Sequence, residues 1–256
     1  MEVVKWSNYL YGGNGNLAEK ILWRLSQHSE DLEEEVLRRT TNLLDERAKC
    51  DAILARFLPS SVVRQLRSGS NVIPEMFELV TLMFTDMPDF GAYVARHPPL
   101  RATTVLAELD MLFHALLSQY AVYRVENISD SYMIASGVPV ANGTQNVLEI
   151  CSLAQAVMRR APEKLSVYQE LPIKVGIHSG PLAAGVIGTK KPKYCLFGNT
   201  VNIASRMCSH GISGRIQLSD STADVARTVY PQLMLEERGW IAVKGAGEMQ
   251  TFWLQF

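Results

Sequence analysis

The stretch Lys193-Tyr-Cys-Leu-Phe-Gly-Asn-Thr-Val-Asn-Ile-Ala-Ser-Arg206 sets a sulfhydryl, an amide and a guanidinium within one short segment, at spacings that suit nucleotide chemistry. A helix is predicted over about 202–208. On it Asn202 and Arg206, four apart, project from one face, as a pair reaching a common ligand must. Outward from this segment the chain alternates strand-like and helix-like runs. The apolar run at 77–84 fits a buried strand, and a helix is predicted over 99–120. A hairpin-like pair of strands over 123–134 is broken at Ser129-Asp130, a helix follows over 145–160, and a strand over 173–178. Gly180 and Gly185 read as punctuation of the next turn. A strand at 215–218, a short helix at 220–229 and closing strands over 240–254 complete the pattern. Interleaving without a strict repeat predicts an α+β fold, an α/β sandwich with helices packed against one sheet.

Three segments are expected: a loose leader over 1–16, rich in glycine and asparagine near its end; a helical segment over 17–70; and a domain over 71–256. In the helical segment Leu25, Leu32, Val36, Leu43, Cys50 and Leu54 recur at steps of seven and four, with Arg39 and Arg47 interrupting the row. That spacing fits a coiled-coil seam and equally an amphipathic helix lying on its own domain. Pro59 should end or kink the helix, and Ser60 can cap a second short one.

Composition bounds the partners. At 256 residues, 47% apolar and 20% charged, the chain has the makeup of a globular protein with a substantial core. A formal charge of −1 offers no basic field for nucleic acid or anionic lipid, though a mononucleotide needs only a few local cations. Cys50, Cys151, Cys195 and Cys208 lie far apart, without the paired spacing of structural zinc, and point to a reducing interior. No run approaches the roughly 20 apolar residues that span a bilayer, so a soluble chain is expected.

Several side chains are candidates for chemistry. Asp86 follows a buried strand, and Asp130 sits between two strands. Each alone is also ordinary turn chemistry, but carboxylates at neighbouring strand ends can share hard divalent cations that bridge phosphate oxygens. Glu126 and Cys195 suit guanine: a carboxylate accepts from N1–H and the exocyclic amine, and a thiol offers a weak donor to O6. Adenine reverses that edge and would leave buried acceptors opposed. His178 and Ser179 sit at a strand end without a nucleophile-elbow pattern, and 185–188 lacks the lysine and hydroxyl residue of a Walker loop.

Taken together, the 193–206 segment, Phe84-Thr-Asp-Met-Pro-Asp-Phe90 and Val125-Glu-Asn-Ile-Ser-Asp-Ser-Tyr-Met133 resemble class III nucleotide cyclases, specifically the guanylate cyclase branch. The resemblance runs from about residue 25 to the C-terminus, and the helical lead-in looks like the linker preceding the catalytic domain in receptor-type members. It implies a ferredoxin-like class III catalytic fold with an N-terminal helical coiled-coil segment. It implies conversion of GTP to cyclic GMP with two divalent cations, Mg²⁺ or Mn²⁺, held by Asp86, Asp130 and the Met87 backbone carbonyl. Glu126 and Cys195 would read the purine, Asn202 orient the ribose, Arg206 stabilise charge at phosphorus, and Lys244 meet the terminal phosphates. The site would form between two chains, in a homodimer or in a heterodimer with a related cyclase chain. The chain would then be cytoplasmic, or lie on the cytoplasmic side of the plasma membrane as part of a receptor. The alternatives are a non-catalytic cyclase-like module that dimerises or regulates, and an adenylate cyclase. Three positions depart from the family pattern: Asp89 places a charge beside the phosphate loop, Ser129 stands where a glycine is usual, and Ala246 replaces a second lysine.

Overall fold

The computed structural model describes residues 17–54, 58–67, 73–188, 192–245 and 247–256; the expected leader over 1–16 and Ala246 lie outside them. The chain divides into two compact units, 1–57 and 58–256.

The first unit is carried by one helix, α1 (Leu17–Leu54). It is about 57 Å long at 1.5 Å per residue. Charged pairs one turn apart, such as Arg39 with Glu35 at 2.6 Å, brace its surface. The seam residues Leu25, Leu32, Val36 and Leu43 are all exposed in the single chain.

The second unit contains α2 (Ser60–Arg67), β1 (Glu75–Asp86), α3 (Phe90–Arg96), α4 (Pro99–Leu117), β2 (Tyr123–Ile128), β3 (Ser131–Ser136) and α5 (Gln145–Lys164). It continues through β4 (Lys174–Ile187), β5 (Lys193–Phe197), α6 (Asn199–Ser209), β6 (Ile216–Ser219), α7 (Asp220–Val229), β7 (Leu235–Val243) and β8 (Gly247–Leu254). The strands form one mixed sheet in the order β2-β3-β1-β4-β6-β8-β7, with β5 pairing the far half of β4. Only β4 and β6 pair in parallel among the described strands.

Strand alternation divides the sheet into two faces. Met83 of β1, Tyr132 and Ile134 of β3, and Val175 and Ile177 of β4 join the main core with residues of α4 and α5, such as Leu109, Phe113, Ile150 and Val157. The intervening residues face the other way, where α6 packs. Its buried side chains Thr200, Ile203, Ala204, Met207 and Cys208 fall at helical spacing. Gly176 makes that approach possible: a Cβ there would sit 1.9 Å from the Cys208 amide nitrogen.

One expectation is corrected. Gly180 and Gly185 do not punctuate a turn; both lie within the continuous strand β4. They give room for crossing chain instead, since a Cβ on Gly180 would meet the Thr200 hydroxyl at 2.8 Å and one on Gly185 would meet Pro74 at 3.3 Å. The predicted 202–208 helix begins three residues earlier, and α3 and β5 had no sequence expectation.

Candidate active site

Asp86 ends β1, and antiparallel pairing with β3 places Thr85 opposite Tyr132, so the β1 terminus lies beside the turn that carries Asp130. The Met87 backbone N–H donates to Asp130 Oδ2 at 3.1 Å, tying the two chain ends together. Burial pushes the Asp130 carboxyl above its ordinary range; the Met87 and Asp130 backbone N–H groups oppose this, and the Asp86 charge adds to it. The carboxylates are thus near neighbours. Directly across the sheet, Asp86 pairs in register with Lys174, whose Nζ lies 3.1 Å from Asp86 Oδ2.

This donor set fits a hard divalent cation. Two carboxylates and a nearby carbonyl are oxygen ligands of the type that Mg²⁺ and Mn²⁺ prefer, and an ammonium already rests against one of them. The Met87 carbonyl accepts from the Phe90 N–H at 3.2 Å, which leaves its second lone pair available. Among the described residues no group of three or more His, Cys, Asp or Glu side chains could hold a metal, so remaining ligands would have to come from a bound phosphate and water.

The turn before Asp130 is left-handed: Ser129 has φ 56°, the conformation for which glycine is the unstrained residue. Asp89, at the N-cap of α3, has φ 67° and is exposed.

Glu126 lies on β2, opposite Met133 and beyond a register shift, and is exposed. Its Oε1 accepts from Lys193 Nζ at 2.8 Å. Cys195, two residues on, falls on the same side of β5 as Lys193 by strand alternation and is half-buried. Tyr123 and Tyr194 meet edge to face behind this edge, with centroids 5.5 Å apart. Burial, with the nearby Cys195, raises the Tyr123 phenol to about 12, so it stays protonated. The β2–β5 edge therefore gathers a carboxylate, an ammonium and a thiol.

Asn202 and Arg206 are exposed on the outer face of α6, since the 200, 203, 204, 207 and 208 positions are buried. Gly198, at φ 147°, starts the helix, and the Thr200 hydroxyl donates to the Pro181 carbonyl at 2.5 Å, pinning its first turn to β4. Lys244 is exposed in the turn between β7 and β8. Among the described residues no hydrogen bond or ion pair joins Glu126, Cys195, Asn202, Arg206 or Lys244 to Asp86 or Asp130.

His178 belongs to the interior. Its Nδ1 is 2.7 Å from the Ser219 hydroxyl, and Ser219, Ser221, Thr222, Ser179, Thr81 and Asn146 continue a chain of hydrogen bonds across the sheet. Burial lowers its pKa to about 4, with a small opposing effect from Asp220, so it is neutral near pH 7.

Two basic residues were missed in the sequence. Lys193 had a local signal, since it stands two residues before Cys195 on a strand. Lys174 had none, because its partner is set by the β1–β4 register.

A family model described as the adenylate and guanylate cyclase catalytic domain matches residues 72–256. The chain belongs to that family. It is 37% identical over 260 residues to the receptor-type guanylate cyclase gcy-13 of Caenorhabditis elegans, covering 99% of this chain and 25% of that protein. It is 40% identical over 246 residues to retinal guanylyl cyclase 2 of Bos taurus, covering 95% of this chain and 22% of the relative. The chain thus spans about a quarter of the length of these relatives. Among solved structures, the guanylate cyclase domain of RhGC from Catenaria anguillulae in complex with GTP superposes with a TM-score of 0.66 at 31% identity. That alignment covers 71% of this chain and 98% of the RhGC domain. The adenylyl cyclase CyaB from P. aeruginosa, at 22% identity and a TM-score of 0.66 over 72% of this chain and 96% of that one, shares the fold. No helix among the described residues is long and apolar enough to cross a membrane.

Proposed function

We propose that this chain is the catalytic part of a guanylate cyclase that converts GTP to cyclic GMP and pyrophosphate at a site shared by two chains. The observation that carries this reading is the β2–β5 edge, where Glu126, Lys193 and Cys195 lie together. The Glu126 carboxylate accepts from the guanine N1–H and amine, while the Cys195 thiol faces O6; against adenine the carboxylate would oppose N1, an acceptor facing an acceptor. Lys193 donates to Glu126 Oε1 at 2.8 Å and so lies beside the carboxylate.

Asp86, Asp130 and the Met87 carbonyl would hold two divalent cations, Mg²⁺ or Mn²⁺, which would supply charge to acidify the ribose 3′-hydroxyl and to neutralise the triphosphate. Asn202 orients the ribose so that its 3′-oxygen lines up with the α-phosphorus. The 3′-oxygen forms a new bond to phosphorus, the bond to the bridging oxygen breaks, pyrophosphate leaves and the hydroxyl proton passes to solvent. Arg206 presents its fork of donors to the charge that grows on the α-phosphoryl oxygens, and Lys244 meets the terminal phosphates. Among the described residues no hydrogen bond or ion pair joins Asn202, Arg206 or Lys244 to Asp86 or Asp130, which supports a site with Asp86 and Asp130 from one protomer and Glu126, Cys195, Asn202, Arg206 and Lys244 from the other, in a homodimer or in a heterodimer with a related cyclase. Residues 17–70 act as the helical linker that joins the protomers, and 71–256 as the catalytic domain. As part of a receptor-type protein, the domain would lie on the cytoplasmic side of the plasma membrane.

A second reading, a regulatory cyclase-like module without turnover, is favoured by Asp89, whose exposed carboxylate heads α3 three residues after Asp86. Incubating the purified chain with GTP or ATP and Mn²⁺ separates these. Cyclic GMP from GTP supports the proposal. No product from either nucleotide supports the module, and a preference for ATP overturns the base argument.

A further inference from the structure

Lys174 opens β4 directly across from Asp86, on the same face of the sheet. Its ammonium is 3.1 Å from Asp86 Oδ2, and its side chain is only 13% exposed. The α6 backbone closes over the strand at this point, and the Cys208 thiol donates to the Lys174 carbonyl at 3.8 Å. Lys174 is therefore held in place rather than waving in solvent. Beside Asp86 stands Asp130, fixed by the Met87 N–H.

Two partly buried carboxylates brought together repel each other unless a cation lies against them. In the nucleotide-free chain Lys174 supplies that charge. An ammonium carries one positive charge and donates only, so it uses the same Oδ2 lone pairs that a divalent cation would need. We propose that Lys174 is a built-in counter-ion of the Asp86–Asp130 pair, which stabilises the empty site and competes with the divalent cation for Asp86. Cation entry is then an exchange, in which the ammonium leaves the carboxylate, and not a simple addition. The inference rests on the reading of Asp86 and Asp130 as the cation site.

Removing the ammonium has two opposite effects. The carboxylate pair loses its partner, so the cation-free protein melts lower. The site also becomes more negative, so Mn²⁺ binds more tightly, by about tenfold for one unit charge lost at contact distance in a partly screened site. A residue that only packs the strand end would lower the melting temperature equally with and without Mn²⁺ and would not tighten binding.

The test uses the full chain without nucleotide, comparing wild type with Lys174→Met, Lys174→Arg and Asp86→Asn, by Mn²⁺ titration with electron paramagnetic resonance and by thermal melting. Lys174→Met is expected to melt lower without Mn²⁺, to bind Mn²⁺ about tenfold tighter and to gain more stability from it, with Lys174→Arg close to wild type. Unchanged or weaker Mn²⁺ binding in Lys174→Met overturns the counter-ion role. Asp86→Asn tests the underlying reading separately: wild-type Mn²⁺ affinity there overturns the cation site itself. Should Lys174→Met fail to fold, acylation of wild-type lysines followed by mass spectrometry decides the matter. Lys174 is expected to be protected without Mn²⁺ and to react faster with it, and equal reactivity overturns the exchange.

Discussion

Gly176 of β4 lies so close under α6 that a Cβ would stand 1.9 Å from the Cys208 amide nitrogen and 2.4 Å from the Met207 carbonyl carbon. Both are backbone atoms and neither can rotate aside. The helix that presents Asn202 and Arg206 is thus seated on the sheet by a missing side chain. Gly176→Ala must push the helix off β4, with a cost of roughly 3 kcal/mol or more. The control is Gly91→Ala in α3, where nothing lies within 4 Å of the new methyl. That change should be neutral or stabilise by about 0.5–1 kcal/mol. Chemical denaturation of the two variants beside wild type measures the difference, and equal midpoints would show that the packing against Cys208 is looser than described.

The left-handed turn at Ser129 carries a second expectation. At φ 56° a serine bears strain that glycine does not, so Ser129→Gly should stabilise the chain by about 1 kcal/mol while leaving Asp130 in place. A β-branched Ser129→Val should do the reverse. Melting temperatures of the pair, read in opposite directions from wild type, check this.

In the proposed reading, base choice is carried by two positions on the β2–β5 edge. Changing Glu126→Lys together with Cys195→Asp reverses the donor and acceptor roles, and removes the acceptor that Lys193 now holds at 2.8 Å. The ratio of kcat/KM for GTP to that for ATP should fall by at least about 100-fold, the scale set by mismatched buried polar groups. Retention of the wild-type ratio would place base reading elsewhere.

His178 sets a pH dependence of stability. Its folded pKa is lowered to about 4 by burial, against an ordinary value of 6.5 in the unfolded chain. Between these values the unfolded chain takes up a proton that the folded one refuses. The stability present above about pH 6.5 is therefore lost as pH falls towards 4, by roughly 3 kcal/mol in all. His178→Gln should remove that part of the acid sensitivity. Urea midpoints of both proteins across this range give the comparison, with parallel pH profiles as the contrary result.

Much of the architecture was open to reading from local chemistry. The apolar run over 77–84 and the Ser129-Asp130 break between two strands are short-range signals, and both became the elements expected, the first within the longer strand Glu75–Asp86. The glycines of β4 were misread because a sequence cannot distinguish a glycine that bends its own chain from one that makes way for another. Gly180 clears Thr200, which lies twenty residues on. α3 went unseen because its seven residues are too few for a periodic signal and include Gly91. At the candidate site, Asp86, Asp130, Glu126, Cys195, Asn202 and Arg206 were candidates by residue type and joint spacing, and Lys244 only through the family resemblance. The cationic partner Lys174 could not, since its pairing depends on which strands lie side by side; Lys193 had a local signal beside Cys195, but its pairing with Glu126 depends on the neighbouring strand.

In the proposed dimer, one catalytic site draws Asp86 and Asp130 from one chain and Asn202 and Arg206 from the other. Co-expression of Asp86→Ala chains with Arg206→Ala chains tests it most directly, with cyclic GMP formed from GTP as the readout. Each variant alone should be inactive, while the mixture should recover about a quarter of wild-type activity, because half of randomly paired dimers are mixed and each mixed dimer keeps one of its two sites intact. No recovery in a mixture shown to contain the mixed dimer, or full activity of Asp86→Ala alone, would contradict it.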